Sequence, residues 1–364
     1  MISERAYWVA WSQARGVGPV LLKRLHSHFG SLAEAWQAEG CQLLEVEGIG
    51  LGIGSDLLEY RQSVCPLQIL ATQERRCPNF WTPADPEYPS LLFEITDPPP
   101  LLYYRGRPEL ARALQTLPTV AVVGTREPSA YGQSWTRRLV QQLVAHNVIV
   151  VSGLARGIDR HAHAQALASG GLTIGVLGTG VDQAYPLDNR DLQAQMAEAG
   201  LLLSEYPNGT PPDRGHFPRR NRIIAGLSRL VVVTEAPRRS GALITARLAN
   251  DYGRDVFALP GSLDNPSSLG CLDLIAQGAQ MVLEETTLTE ELGHIPPLEP
   301  AVTPDSSLAL ELAEVLAAIA QEPVTVDHLS QYLAKPTSEL LSSLAQLELM
   351  GLITLLPGMR YQRS

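Results

Sequence analysis

Lysine is nearly missing from this chain: Lys23 and Lys335 are the only two in 364 residues. Positive charge therefore falls to arginine, whose planar fork suits phosphate better than an ammonium does. Cysteine is scarce and scattered. Cys41, Cys65, Cys77 and Cys271 form no C-x-x-C pair, which fits reduced thiols better than a disulfide frame or a zinc site. No apolar run reaches the ~20 residues that span a bilayer, and the opening MISERAYWVAWSQ lacks a basic leader followed by an apolar stretch. A cytoplasmic protein without a membrane segment is the expectation. G-x-G-x-x-G does not follow the first strand of the central region, and G-x-x-x-x-G-K-[ST] occurs nowhere, so dinucleotide and P-loop readings lose ground. No Ser/His/Asp set or paired carboxylate stands at fixed spacing. His161 and His163 are two residues apart and cannot share one helix face as zinc ligands would; Asp159, just ahead of them, is a candidate helix N-cap. No catalytic residue, metal or cofactor is expected.

What the chain does contain is unevenly spread. The formal charge is −10, yet residues 119–280 carry 15 Lys/Arg against 13 Asp/Glu, while residues 1–118 carry 10 against 13 and residues 281–364 carry 3 against 12. With 45% apolar and 18% charged residues the chain is globular, and its length calls for two or three domains. Residues 1–65 read as helices broken by glycine. RGVGPVLLKRLHSHFGSLAEAW and LLEVEGIGLGIGSDLLEYR each set a G-x-G turn before a helical pattern. Such turns suit a helix-hairpin-helix (SAM-like) domain offering N–H groups to phosphate, or two ordinary helix-helix turns. Residues 66–118 are proline-rich and are expected to lie over the next domain as irregular chain from Asp85 to Leu110.

From Thr119 short β-branched runs alternate with helical patterns: TVAVVGTR, VIVVSG, LTIGVLGTG, LLLSEYP, RLVVVTEA, DVFALPG and QMVLEE. That alternation predicts βαβ units and a doubly wound, Rossmann-like parallel sheet over 119–285, covered on both faces. Residues 286–305 read as an acidic, proline-bearing linker. Residues 306–364 read as a winged-helix-like domain: a helix at LALELAEVLAAIAQ, helices at TVDHLSQYL and TSELLSSLAQLELMGLI, then a short ribbon. Residues 301–364 hold 7 acids and 3 bases, which favours a protein contact over duplex binding there.

In an open parallel sheet, ligands bind beyond the carboxyl ends of the strands. The loops expected at that crest are GTREPSAYG (124–132), SGLARGIDRHAH (152–163), GTGVDQAYP (178–186), SEYP (204–207) and EAPRRSGALITA (235–246). They are rich in glycine and hydroxyls and hold Arg126, Arg156, Arg238 and Arg239. Between them, RGHFPRRNRIIAGLSR crowds Arg219, Arg220 and Arg222 into the first turn of a helix, where the backbone dipole is already positive. From Arg214 to Arg239 there are seven arginines and one acid, Glu235. Phosphates in front of the helix would make that placement favourable; pairing with acids such as Asp188, Asp191 and Glu205 would neutralise part of it. Phe217 and Tyr185 suit either base stacking or the core.

The same segments, with FPRRNRIIAGLS, SGALITARLANDYGRDVFALPG and LIAQGA, resemble the DNA processing protein A family (DprA, also called Smf) across the whole of 119–285, and the flanking domains resemble that family's own. The resemblance implies a protein that binds and protects single-stranded DNA, helps load the RecA recombinase in natural transformation, forms a homodimer and needs no catalytic step. Carried over by motif, Gly124, Thr125 and Arg126 match the family's G-[ST]-R turn, Ser152 and Gly153 its S-G-L-A turn, and Phe217, Arg220 and Asn221 its F-P-x-R-N-R segment. With Arg219, Arg222, Arg238 and Arg239 these make up the expected phosphate-binding set. Two rivals stand beside this reading. A phosphoribohydrolase would use P-G-G-x-G-T and a following glutamate, where this chain has ALPGSLDNPSSLGCLDLI. A protein-interaction adaptor would suit the acidic tail.

Overall fold

The computed structural model describes residues 2–293, 312, 315, 318, 319, 324–333, 335–349, 353–356 and 360–363. These fall into two compact units, Met1–Pro297 and Leu298–Ser364. The first begins with helices α1 (Glu4–Ser12), α2 (Pro19–Phe29), α3 (Leu32–Gln37), α4 (Gly40–Leu43), α5 (Leu51–Ser63) and α6 (Pro66–Arg76). Trp8, Trp11, Leu22, Leu25, Leu32 and Leu57 form their shared core, and the Trp11 indole N–H donates to the Leu32 carbonyl at 3.1 Å. The two glycine turns repeat one backbone. Gly16 and Gly48 adopt φ of 81° and 99°, a left-handed conformation that favours glycine, and Gly18 and Gly50 cap the following helices in extended geometry. Val17 and Ile49, between the glycines, are both buried.

The second part of this unit is a nine-stranded sheet in the order β1-β2-β6-β5-β4-β3-β7-β8-β9. Its strands are β1 (Phe80–Trp81), β2 (Leu102–Gly106), β3 (Thr119–Gly124), β4 (Ile149–Ser152), β5 (Thr173–Leu177), β6 (Leu201–Ser204), β7 (Leu230–Glu235), β8 (Asp255–Ala258) and β9 (Gln280–Met281). All seven strands expected from Thr119 onward are present and mutually parallel. Side chains alternate across each strand: Val120 and Val122 enter one core with Leu139 and Ile158, while Ala121 and Val123 enter the other with Ile223 and Ile224. Both faces are therefore buried, at roughly 1.5–3 kcal/mol per large aliphatic side chain. Helices α7 (Ser90–Phe93), α8 (Leu110–Thr116), α9 (Ala130–Ala145), α10 (Ile158–Ala168), α11 (Arg190–Ala199), α12 (His216–Gly226), α13 (Ala242–Asp251), α14 (Leu269–Ala276) and α15 (Thr287–Leu292) connect and flank the strands.

The passage expected to be irregular is a structural part of the sheet. β2 pairs antiparallel with β6, and β1 with β2, so residues 80–106 close one edge. Trp81 stacks on Tyr104 with ring centroids 4.2 Å apart. The same passage ties down the helical part: the Lys23 ammonium donates to the carbonyls of Glu94 and Ile95, and Arg5 pairs with Asp85.

In the second unit β10 (Val324–Thr325), α16 (Val326–Leu333), α17 (Thr337–Leu349), β11 (Ile353–Leu356) and β12 (Arg360–Arg363) form two helices and a three-stranded antiparallel sheet of order β10-β12-β11. Leu329, Leu340, Leu344, Ile353 and Tyr361 share a core with Leu312, Val315 and Ile319. This is the expected winged-helix plan. Most of the helix expected over 308–321 and residues 294–305 of the expected linker lie outside the described residues; the start of that linker is α15.

Truncating Leu203 in β6, which is fully buried between β2 and β5, to alanine is expected to cost about 2–5 kcal/mol in urea unfolding. Leu263→Ala, at a site 79% exposed, is expected to stay within about 0.5 kcal/mol of the parent.

Candidate nucleic-acid interface

The strand order reverses between β3 and β7, and the five glycine-bearing loops leave the carboxyl ends of β3, β4, β5, β6 and β7. The centre of this crest is set by Glu235. Its carbonyl accepts the Thr125 N–H at 2.7 Å, and its carboxylate accepts the Ser129 N–H at 2.8 Å and the Asn265 side-chain amide at 3.0 Å. Glu235 is 1% exposed. The one acid within the arginine-rich run therefore anchors the foot of α9 and neutralises none of the arginines itself.

The arginines separate into two groups. Arg222 is buried between Glu205, at 2.6 Å, and Asp97, at 3.2 Å, and Asp97 also accepts the Tyr252 hydroxyl. Arg238 is exposed but held by Asp273 through two hydrogen bonds, of 2.8 and 3.2 Å. Arg219 lies 3.7 Å from Glu205, and Arg156 pairs with Asp188 at 2.6 Å. Of the expected phosphate-binding set, Arg222 is thus an internal tie and Arg238 is already forked onto a carboxylate. Arg126, Arg214 and Arg239 differ. All three are exposed, and among the described residues none has a carboxylate within 4.0 Å. They stand round one cleft of about 590 Å³ at the β3/β7 reversal, whose floor includes Gly124 and Thr125. A second cleft of about 730 Å³ adjoins it above β4 and β5, and the two share Arg126, Tyr185, Phe217 and Arg220.

The S-G-L-A turn faces inward. The Ser152 hydroxyl donates to the Val122 carbonyl at 2.6 Å, and the Gly153 N–H donates to the Asp159 carboxylate at 3.1 Å, so neither group is open to an anion. Asp159 is not the cap of α10, which is Gly157; it sits in the first helical turn and reaches back to the loop. Arg220 is 5% exposed and donates to the Val176 carbonyl at 2.7 Å. Burial pulls its pKa down to about 10, opposed by the charge of Asp159, so it stays protonated at neutral pH. Asn221 donates to the Gly241 carbonyl at 3.2 Å, and the Thr125 hydroxyl accepts the Glu127 N–H at 3.3 Å. Phe217 lies under Tyr185, centroids 5.3 Å apart at 29°, and Tyr185 is 40% exposed. The pair forms an aromatic lip where the two clefts meet.

Arg214 is a cleft residue that motif matching passes over; its only signal in the sequence is its place in the arginine count. His163 is fully buried against the Thr173 hydroxyl, at 2.7 Å, and burial drives its pKa down to about 3.

An open, mostly parallel sheet with exposed guanidinium groups gathered at its topological switch point defines an α/β protein of the doubly wound class. A family model described as DNA recombination-mediator protein A matches residues 79–293, and one described as the DprA winged helix domain matches residues 299–359. The chain belongs to the DNA recombination-mediator protein A family. Protein Smf of Synechocystis sp. is 46% identical to it over 99% of each chain. The X-ray structure of DNA processing protein A from Streptococcus pneumoniae is similar with a TM-score of 0.66 at 37% identity, covering 80% of this chain and 98% of that one. The Helicobacter pylori protein, described for its single-stranded DNA binding mode, gives a TM-score of 0.53 at 34% identity, covering 58% of this chain and 95% of that one.

Two outcomes follow from the buried groups. Arg222→Met leaves Glu205 buried without its closest cation and is expected to cost about 3–5 kcal/mol in denaturant unfolding, whereas Arg238→Met is expected to leave the melting temperature unchanged. The second concerns His163, whose folded pKa lies below the unfolded value of 6.5. Its contribution is complete above pH 6.5 and is lost as pH falls toward 3, at up to about 1.4 kcal/mol per pH unit. Unfolding measured across that window in His163→Phe is expected to show a shallower acid slope than the parent.

Proposed function

We propose that this protein binds single-stranded DNA along the crest of its sheet and serves, like other members of its family, in DNA processing for recombination. The observation that carries the reading is the convergence of Arg126, Arg214 and Arg239, without acid partners among the described residues, on the cleft at the β3/β7 reversal. Helix α12 starts beside that cleft, so its dipole adds to the guanidinium field instead of opposing an anion. Gly124 and Thr125 form the floor and Pro218 and Asn221 the α12 side, while Arg219, expected among the phosphate ligands, lines neither cleft; the exposed face of the Tyr185–Phe217 pair offers a surface for base stacking. Stacking accepts any base and phosphate is common to every nucleotide, so recognition through these groups depends little on sequence. The single-stranded DNA binding named for the Helicobacter pylori relative supports this choice of ligand.

The finer parts of the proposal are that the protein acts by binding without a chemical step, that it shields single strands and hands them to a RecA-type recombinase, and that it does so as a homodimer in the cytoplasm. The overall charge of −10 does not oppose this, because the local field at the cleft governs association.

Titration of oligo-dT by fluorescence anisotropy across a salt series tests the reading. Each phosphate of a single strand that is no longer neutralised by the protein reduces the slope of log K against log salt by about 0.7. Arg126→Ala and Arg239→Ala are each expected to weaken binding and to flatten that slope by about this amount. Arg238→Ala, whose guanidinium is held by Asp273, is expected to leave it near the parent's. Unaltered titrations in both cleft variants would remove the cleft from the DNA path, and equal affinity for a duplex of the same length would argue against single-strand recognition.

A further inference from the structure

Taking the single-strand reading as its basis, we infer that Arg220 is a positioning residue and not a phosphate ligand: with Asp159 it clamps Gly153 and thereby holds the wall between the two crest clefts. The donors of Arg220 leave little for a ligand. One terminal nitrogen is engaged inside by the Val176 carbonyl and Nε is buried, so the side-on approach of a phosphate to Nε and a terminal nitrogen is closed. What the side chain does touch is Gly153. A β-carbon added there would fall on the Arg220 guanidinium, overlapping three of its atoms. Only glycine lets the cation lie flat against the loop. On the other side of the same residue, the Asp159 carboxylate accepts the N–H groups of Gly153, at 3.1 Å, and Ala155, at 3.4 Å.

The S-G-L-A turn is therefore gripped between a buried cation and a buried anion, which attract each other across it. Both charges are largely withdrawn from solvent: Asp159 is 7% exposed and Arg220 5%. The grip extends to the aromatic lip. Phe217 precedes Arg220 by three residues on α12, on the same helical face, and its ring lies against Gly178 at the end of β5, the strand whose Val176 carbonyl holds Arg220. Fixing Arg220 thus fixes both the loop that lines the second cleft and the ring on which a base would stack. Preorganised surroundings of this kind preserve affinity without touching the ligand.

Salt dependence distinguishes positioning from ligation, and full-length protein is used throughout. Gly153→Ala keeps every charge but displaces the guanidinium; it is expected to weaken oligo-dT binding by roughly tenfold with the salt slope unchanged. Arg220→Met combined with Asp159→Asn removes both charges together, avoiding a lone buried carboxylate, and is expected to weaken binding with the slope within about 0.2 of the parent's, against a decrease of about 0.7 in Arg126→Ala. A slope decrease in the double variant equal to that in Arg126→Ala would make Arg220 a phosphate ligand, and parent-like affinity in Gly153→Ala would show that the clamp positions nothing. Hydrogen exchange without DNA separates this inference from the reading beneath it. The amides of residues 153 and 155 are expected to be protected in the parent and released in Gly153→Ala. Free-loop exchange in the parent would overturn the clamp whether or not DNA binds. Failure of the parent to bind oligo-dT, with those amides protected, would overturn the single-strand reading alone.

Discussion

Repulsion among guanidinium groups gathered on and around α12 is the constraint around which the crest is built; the helix begins at His216, so of the three arginines expected in its first turn only Arg219 lies there and Arg220 and Arg222 fall in the second. Like charges that close are tolerated only if something neutralises them, and a folded chain has two ways to supply it: its own carboxylates or a ligand's. Here the nearby acids are committed to backbone amides or to arginines other than Arg126, Arg214 and Arg239. Glu235 holds the amide of Ser129 and the side chain of Asn265, and Asp159 holds the amides of its own loop. Glu205 is drawn to the buried Arg222 and to the exposed Arg219. The remaining cations at the cleft are left to solvent and to whatever anion arrives.

This division gives arginine two distinct roles within one short run. Arg222 ties α12 to the end of β6 and to the passage between β1 and β2, using Glu205 and Asp97. Arg220 is equally buried, against a glycine. Arg126, Arg214 and Arg239 stand outermost. The enclosed arginines brace the fold, while the exposed ones remain open to an anion. This division also explains why an acidic protein can present a positive furrow: most of its acidic excess lies after residue 280, beyond the sheet.

Much of this is legible in the sequence, and the exceptions share a cause. The seven parallel strands announce themselves because strands buried on both faces need continuous β-branched runs, and TVAVVG and LVVVTE can hardly be anything else. The crest loops are marked by glycine. β1 and β2 carry no such mark: one has two residues, the other sits just past a run of prolines, and both exist because β6 offers an edge to pair with. The fate of each arginine is equally hidden. Asp97 lies 125 positions before Arg222, and no local pattern joins them. In the sequence the S-G-L-A glycine looks like an opening for a ligand, whereas its neighbour is the protein's own cation. Spacing reports which element a residue occupies; it does not report what the element meets.

The antiparallel pair at the sheet's edge has a practical consequence for dissecting the protein. A fragment cut at Thr119, where the β-rich grammar starts, would strip β2 from β6 and turn an interior strand into a bare row of amides and carbonyls. Open edges of that kind recruit other chains, so such a fragment would tend to self-associate and would misreport the behaviour of the intact crest. The sheet with both added edge strands begins at Phe80, one residue after the start of the family match.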